Sequence, residues 1–389
     1  MAEAKRIIHG QASWLLASDQ VELAVTETGG QMAPVTFFRG SRVPVQPYYL
    51  NPWQGDSTGL PLLDVLRGDF FCMPFGAGNK YRGEDHPPHG ETANAKWGLV
   101  ERKAAAGQAA LTLSLEAKAR PGTVVKTIQL AAAHNALYLS HELRGFSGRM
   151  CFSHHPILEV PEEPGSLRLS ASPFRLGMTA PRKEAANAGN EYYSLAGGAR
   201  FTALHRVPTL WKDAPFDDCS TFPRRYGFMD LAAVFARPGR YPAWVAAVVP
   251  ARGYLWYALK DPAVLPQLLL WMDNGGRHAP PWNGRNRCLG VEDGCSFFGE
   301  GLAAAARANE LTRQGIPTSV SLSPGRPTVI RHIQGVVRVP SGFDRVQSVA
   351  FAPGRATFLA ASGKKVSTAV CWEFLRTGVV EAANMSPRG

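Results

Sequence analysis

Ala110-Leu-Thr-Leu-Ser-Leu-Glu-Ala-Lys-Ala119 sets Leu111, Leu113, Leu115 and Ala117 against Thr112, Ser114, Glu116 and Lys118. Strict alternation of apolar and polar residues is what a half-buried strand requires, because successive side chains leave opposite faces. The pattern returns in Ala136 to Arg144, where Leu137, Leu139 and Leu143 oppose Ser140, Glu142 and Arg144. Trp244–Val249, Tyr254–Leu259 and Gln267–Met272 are continuously apolar and read as strands covered on both faces. With 39 Gly and 30 Pro to supply turns, the chain is strand-rich almost from end to end. No repeat and no linker divides it. The expected fold is all-β, one large antiparallel β-sandwich over residues 1–389 with one or two short helices. The helical candidate is Gly301–Gln314, Ala-rich and followed by Gly315 as a stop. Pro161 to Asn190 lacks periodicity and reads as a surface excursion. Further strands are expected near Gln347–Phe351 and Ala356–Ala361, and 381–389 should fray.

Composition narrows the function. Lys and Arg number 42 against 31 acids, a net charge of +11, but the excess is dispersed without a basic block of the kind that grips nucleic acid. Solubility explains it, with steering of an anionic ligand such as a sugar phosphate or uronate as the alternative. The N-terminus has no apolar h-region. No apolar run nears the ~18 residues of a membrane span. The cysteines at 72, 151, 219, 288, 295 and 371 contain no Cys-x-x-Cys pair, so neither a disulfide framework nor a zinc site is expected. They read as reduced thiols in a cytoplasmic protein with no metal, no cofactor, no nucleic-acid partner and no membrane.

Arg67-Gly-Asp-Phe-Phe-Cys-Met-Pro-Phe-Gly76, then His89-Gly90 and Trp97, bring a guanidinium, an imidazole and an indole onto segments too rich in Gly and Pro to be one regular element. A forked donor, a donor/acceptor ring and a flat aromatic face are what grips a polyhydroxylated ring. This run, an Arg-Gly leading through Pro and Phe-Gly into a His-Gly, resembles the galactose mutarotase-like (aldose 1-epimerase) superfamily, and is similar to its hexose-6-phosphate mutarotase branch. The resemblance spans roughly residues 20–330, leaving 331–380 as additional strands. It implies a twisted antiparallel supersandwich and an enzyme that interconverts α and β anomers of a monosaccharide or sugar derivative.

That reaction opens the pyranose between C1 and the ring oxygen. A base removes the C1 hydroxyl proton while an acid protonates the ring oxygen, and the roles swap on reclosure. A carboxylate and an imidazole, with ordinary pKa values of ~4.3 and ~6.5, suit both directions. The resemblance makes Glu292, in Cys288-Leu-Gly-Val-Glu-Asp293, the base, with Asp293 where the family commonly has Pro. It makes His155, in Cys151-Phe-Ser-His-His-Pro-Ile-Leu-Glu159, the acid. Ile157 and Leu158 replace the family's aromatics and leave the register open by one, so His154 is the other candidate. The two catalysts are expected to face each other across a ring-sized pocket.

For substrate binding the resemblance points to Arg67, His89, Trp97, Asp273 or Asn274 at the end of Leu268–Asn274, and Trp282 in a loop His278–Arg285 overhanging the site. His89-Gly-Glu-Thr-Ala-Asn94 lacks the Arg that in the sugar-phosphate branch helps grip phosphate; Lys80, Arg82 or Lys96 would have to replace it. The expected partner is a small sugar, acidic and phosphorylated ones included. Alternatives are a non-catalytic carbohydrate-binding protein on the same scaffold, or a glycoside hydrolase or lyase-type enzyme pairing Glu292 with Glu91 or Asp273.

Overall fold

The computed structural model describes residues 5–105, 107–182, 186 and 189–381. All but Glu381 of the tail expected to fray lies outside the described residues.

Two antiparallel sheets share one core. The first has nine strands in the order Thr221–Phe222, Leu167–Ala171, Ala243–Val249, Tyr254–Lys260, Thr328–Arg338, Ala136–Arg144, Gly122–Ala131, Gln108–Ala117, Gly98–Ala105. The second runs Arg200–Phe201, Phe174–Thr179, Phe228–Ala236, Gln267–Asn274, Arg287–Cys295, Phe152–His154, Phe71–Cys72, with Ile157–Glu159 also paired to Arg287–Cys295. Leu111, Leu113 and Leu115 are buried and join a cluster with Leu268–Leu270 and Leu289 of the facing sheet. Each such side chain contributes roughly 1.5–3 kcal/mol on burial. A one-residue slip would turn the whole row to solvent, so the alternation fixes the register.

Two of the continuous apolar strands, Ala243–Val249 and Tyr254–Lys260, are covered on both faces, whereas the outer face of Gln267–Asn274 gives Leu269 and Trp271 to a cleft. A three-stranded sheet (Val346–Ala352, Arg355–Ala360, Lys365–Ala369) and the helix Phe374–Thr377 lie on the outer face of the nine-stranded sheet. There Phe358 packs 5.1 Å from Tyr257, and Phe374 packs 5.4 Å from Tyr138. The C-terminal strands are therefore a cap. The boundary expected at 330 cuts the central strand Thr328–Arg338, which belongs to the sandwich. The N-terminal sheet likewise starts at Arg6, ahead of residue 20, and contributes Trp14 and Leu16 to the core.

Two expectations change. Gly301–Gln314 is two helices, Gly301–Ala306 and Glu310–Arg313, and the described residues hold five α-helices of four to six residues where one or two were expected. Asn309 caps the second, accepting from Leu311 N and Thr312 N while Thr312 Oγ1 takes Asn309 N–H, and this reciprocal cap restarts the chain. Pro161–Asn190 is not an excursion throughout. It holds Leu167–Ala171 in one sheet and Phe174–Thr179 in the other, crossing at Ser172-Pro173. Strands of five and six residues give too few alternations to stand out.

Candidate active site

The pairing of Arg287–Cys295 with the chain from Phe152 to Glu159 makes the site. Ser153 pairs with Gly294 on one side of a break and Ile157 with Gly290 on the other. Pro156 has no N–H to continue the ladder, though its carbonyl still accepts from Val291 N at 2.7 Å. The unchanged register places His155 opposite Glu292 and His154 opposite Asp293. Alternation then sends the first pair to the outer face and the second inward between the sheets. Register thus selects His155, with its Nε2 3.3 Å from Glu292 Oε1.

The outer pair sits at the bottom of a cleft of ≈ 370 Å³, within the roughly 300–1,000 Å³ of ligand pockets. Its walls are Phe70, Phe75, Trp271, Trp282 and leucines; its polar groups include His89, Arg182, Glu191, Arg277 and Glu300. Phe70 stacks on the His155 ring at 4.6 Å and 14°. Gly290 is required beside them: a Cβ there would lie 2.7 Å from Glu292 Oε1 and 2.9 Å from Trp271 Cβ. His89 reaches the cleft from a left-handed backbone, φ 58°, its ring 5.1 Å from that of His155. The next residue must be glycine, since a Cβ on Gly90 would fall 1.9 Å from Met73 O.

Burial sets the charges. The Glu292 carboxyl is pushed well above the carboxylate range, against the pull of Arg277. The His155 imidazole is pushed down to about 4. His89 is held well below its ordinary value, first by burial and then by His155 and Arg277. At neutral pH the pair is therefore a neutral acid beside a neutral base, holding one proton between them.

Of the residues expected from sequence, Glu292, His155, His89 and Trp282 line the cleft. The others do not. Arg67 is fully buried, donating to Val65 O (3.0 Å), Ile8 O (3.1 Å), His9 O (3.1 Å) and Gln54 Oε1 (2.8 Å). It ties the N-terminal hairpin to the cleft wall, and pairs with neither Asp64 nor Asp69 as an ion-pair role would require. Arg67→Met should strand three carbonyls and cost about 3 kcal/mol of stability in urea unfolding, with sugar affinity retained. Trp97 fills the core and donates to Thr92 O at 3.0 Å. Asp273 accepts from Gly276 N (3.0 Å) and Asn286 Nδ2 (2.7 Å), bracing the loop rather than meeting ligand. Asn274 donates to Arg224 O at 2.6 Å, away from the cleft. His154 lies in the inner layer against Asp69 and His332. Lys80, Arg82 and Lys96 are not among the lining residues. Nor are Glu91, which caps Lys118 N and Ala119 N, and Asp273, so neither second carboxylate of the hydrolase reading is in place.

Arg277, Trp271, Phe70 and Arg182 are the unforeseen members. Arg277 precedes the loop read as overhanging by one residue, and its guanidinium lies 5.1 Å from the Trp271 ring and 4.6 Å from that of Trp282. Its Nε is 2.9 Å from Glu191 Oε1, off the line a hydrogen bond needs. Gly55-Asp-Ser-Thr-Gly59 has nucleophile-elbow spacing, but it is an exposed turn with no strand before it, so the elbow context is missing. Among the described residues no three His, Cys, Asp or Glu side chains are grouped to hold a metal ion, and no helix is long and apolar enough to cross a membrane.

No family model and no curated protein matches the chain. Solved structures do. A galactose mutarotase-like protein from Clostridium acetobutylicum is similar at TM-score 0.59 and 11% identity, covering 86% of this chain and 98% of that one. A galactose mutarotase related enzyme from Lactobacillus acidophilus gives 0.54 at 11%, over 85% and 99%. The aldose epimerase homologue from C. elegans gives 0.53 at 12%, over 85% and 100%. The hexose-6-phosphate branch is not singled out. By its architecture, the chain has the galactose mutarotase-like (aldose 1-epimerase) fold.

Proposed function

We propose that the chain is an aldose 1-epimerase acting on an uncharged monosaccharide, with Glu292 as base and His155 as acid. The supporting observation is the cross-strand pair: Glu292 and His155, 3.3 Å apart in an aromatic cleft, with proton affinities shifted in opposite directions by burial. In place of the expected arrangement across a ring-sized pocket, the two groups stand side by side on paired segments, 3.3 Å apart. The hydroxyl and ring oxygens are both bonded to C1, so two groups standing side by side can serve both from one edge of the ring. Transfer of the shared proton gives carboxylate and imidazolium, the form that meets the closed ring. Glu292 takes the O1 proton, the C1–O5 bond breaks as the C1 carbonyl forms, and O5 takes the proton from His155. That leaves the neutral pair the cleft favours. After rotation about C1–C2, His155 removes the O5 proton, O5 attacks C1, and Glu292 returns its proton to O1.

Four lining atoms support a polyhydroxylated ligand: His89 Nδ1, His155 Nδ1, Trp271 Nε1 and Arg182 Nε are buried and make no hydrogen bond within the protein. Buried polar groups are ordinarily satisfied, so such a set suits ligand hydroxyls. The charges favour a neutral ring. Arg182 and Arg277 are balanced by Glu191 and Glu300, with Glu292 protonated.

Saturation-transfer NMR between α and β anomeric protons, across neutral, acidic and phosphorylated sugars, tests this. Acceleration for neutral aldoses supports it; binding without acceleration makes the protein a sugar-binding module instead. The same assay gives the pH dependence. Below about pH 4 His155 gains a second proton for the pair and no base remains, so the rate falls. Above the raised value of Glu292 the last proton leaves and no acid remains. Between them kcat/KM should be flat, rather than peaked between the ordinary carboxylate and imidazole values.

A further inference from the structure

We propose that Asp69 is a positioning residue for the acid, gripping His155 by its main chain instead of its ring; this rests on the epimerase reading of the cleft. An imidazole used for proton transfer is ordinarily oriented by a hydrogen bond to its other ring nitrogen. Here His155 Nδ1 is buried without a partner. Orientation comes from the segment behind it. Asp69 Oδ1 accepts from His155 N at 2.9 Å, Phe70 O accepts from the same N–H at 2.9 Å, and the Phe70 ring stacks on the imidazole. Asp69 Oδ2 lies 3.3 Å from His154 Nδ1, so one carboxylate spans both neighbours of the ladder break. Main-chain pairing of Met32 with Asp69 holds the backbone from which that carboxylate extends.

The groups around His155 are few. Glu292 faces it from Arg287–Cys295, His89 from its left-handed turn, Trp271 from Gln267–Asn274, and Arg277 from the loop beyond. Behind stand His154 on the same segment, then His332 stacked on it at 4.4 Å, and Lys126. Burial raises the Asp69 carboxyl, but His154, His332 and Lys126 outweigh it and hold it below its ordinary value. Asp69 is therefore an anion at neutral pH. Burial lowers His155 and Asp69 works against that, keeping the imidazolium within reach.

Asp69→Asn keeps the shape and an acceptor but removes the charge. His155, followed by NMR of its imidazole in the unliganded protein, should titrate at lower pH in the variant, and in the exchange assay kcat should fall about tenfold with KM nearly constant. The titration needs no turnover, so it decides the role of Asp69 even if the wild type exchanges no sugar. An unmoved His155 titration in a folded variant, or a change in KM alone, would overturn the proposal. Asp69→Glu covers the case of an Asn variant that does not fold: the charge stays but the carboxylate is displaced, so kcat should drop with the pH limbs in place. Wild-type kcat in Asp69→Glu would contradict positioning.

Discussion

Glu292→Gln should lower kcat for anomer exchange by about 10²–10⁴, with sugar binding changed only a few-fold. The amide keeps the volume beside Gly290 and Trp271 but cannot accept the O1 proton. Glu292 is 2% exposed, so bulk water cannot readily replace it. The loss should sit in kcat, because ring opening, and not ground-state binding, needs the base. Saturation transfer at saturating sugar gives kcat, and calorimetric titration gives affinity. A variant retaining a tenth of wild-type kcat would mean that another group takes the proton.

His155→Gln should cost a comparable 10²–10⁴ in kcat, by removing the donor to O5. It differs from the first variant in stability, since it also removes the stack on Phe70; such ring pairs contribute about 0.5–1.5 kcal/mol. Thermal unfolding should therefore separate them, Glu292→Gln lying close to wild type and His155→Gln below it. The double variant should be no slower than the slower single one, because both groups serve one proton cycle. Multiplying losses would mean two independent catalytic contributions.

The fold was legible because its signal is local. Leu111, Leu113 and Leu115 report the buried face within ten residues, and Tyr254–Leu259 reports double coverage by having no polar face. The site is long-range. Glu292 and His155 are recognisable from the company each keeps in sequence, but that they meet follows from a strand pairing over more than a hundred residues. The break at Pro156, which keeps the register across it, resolved His155 from His154. Arg67 misled for a physical reason: the same forked donor that suits sugar hydroxyls suits a cluster of main-chain carbonyls, and only burial separates the two uses. Asp273 is comparable, a carboxylate consumed by the turn it stabilises. Arg277 carried no sequence signal beyond following Gly275-Gly276, since its place between two indoles depends on how the loop folds back.

A crystal structure of the Glu292→Gln protein with a neutral aldose bound would bear most directly on the shared-proton mechanism. O1 should lie within hydrogen-bond reach of the substituted amide and O5 within reach of His155 Nε2, both on one edge of the ring. A sugar seated with C1 toward Arg182 and the cleft mouth, or bound outside this cleft altogether, would contradict it.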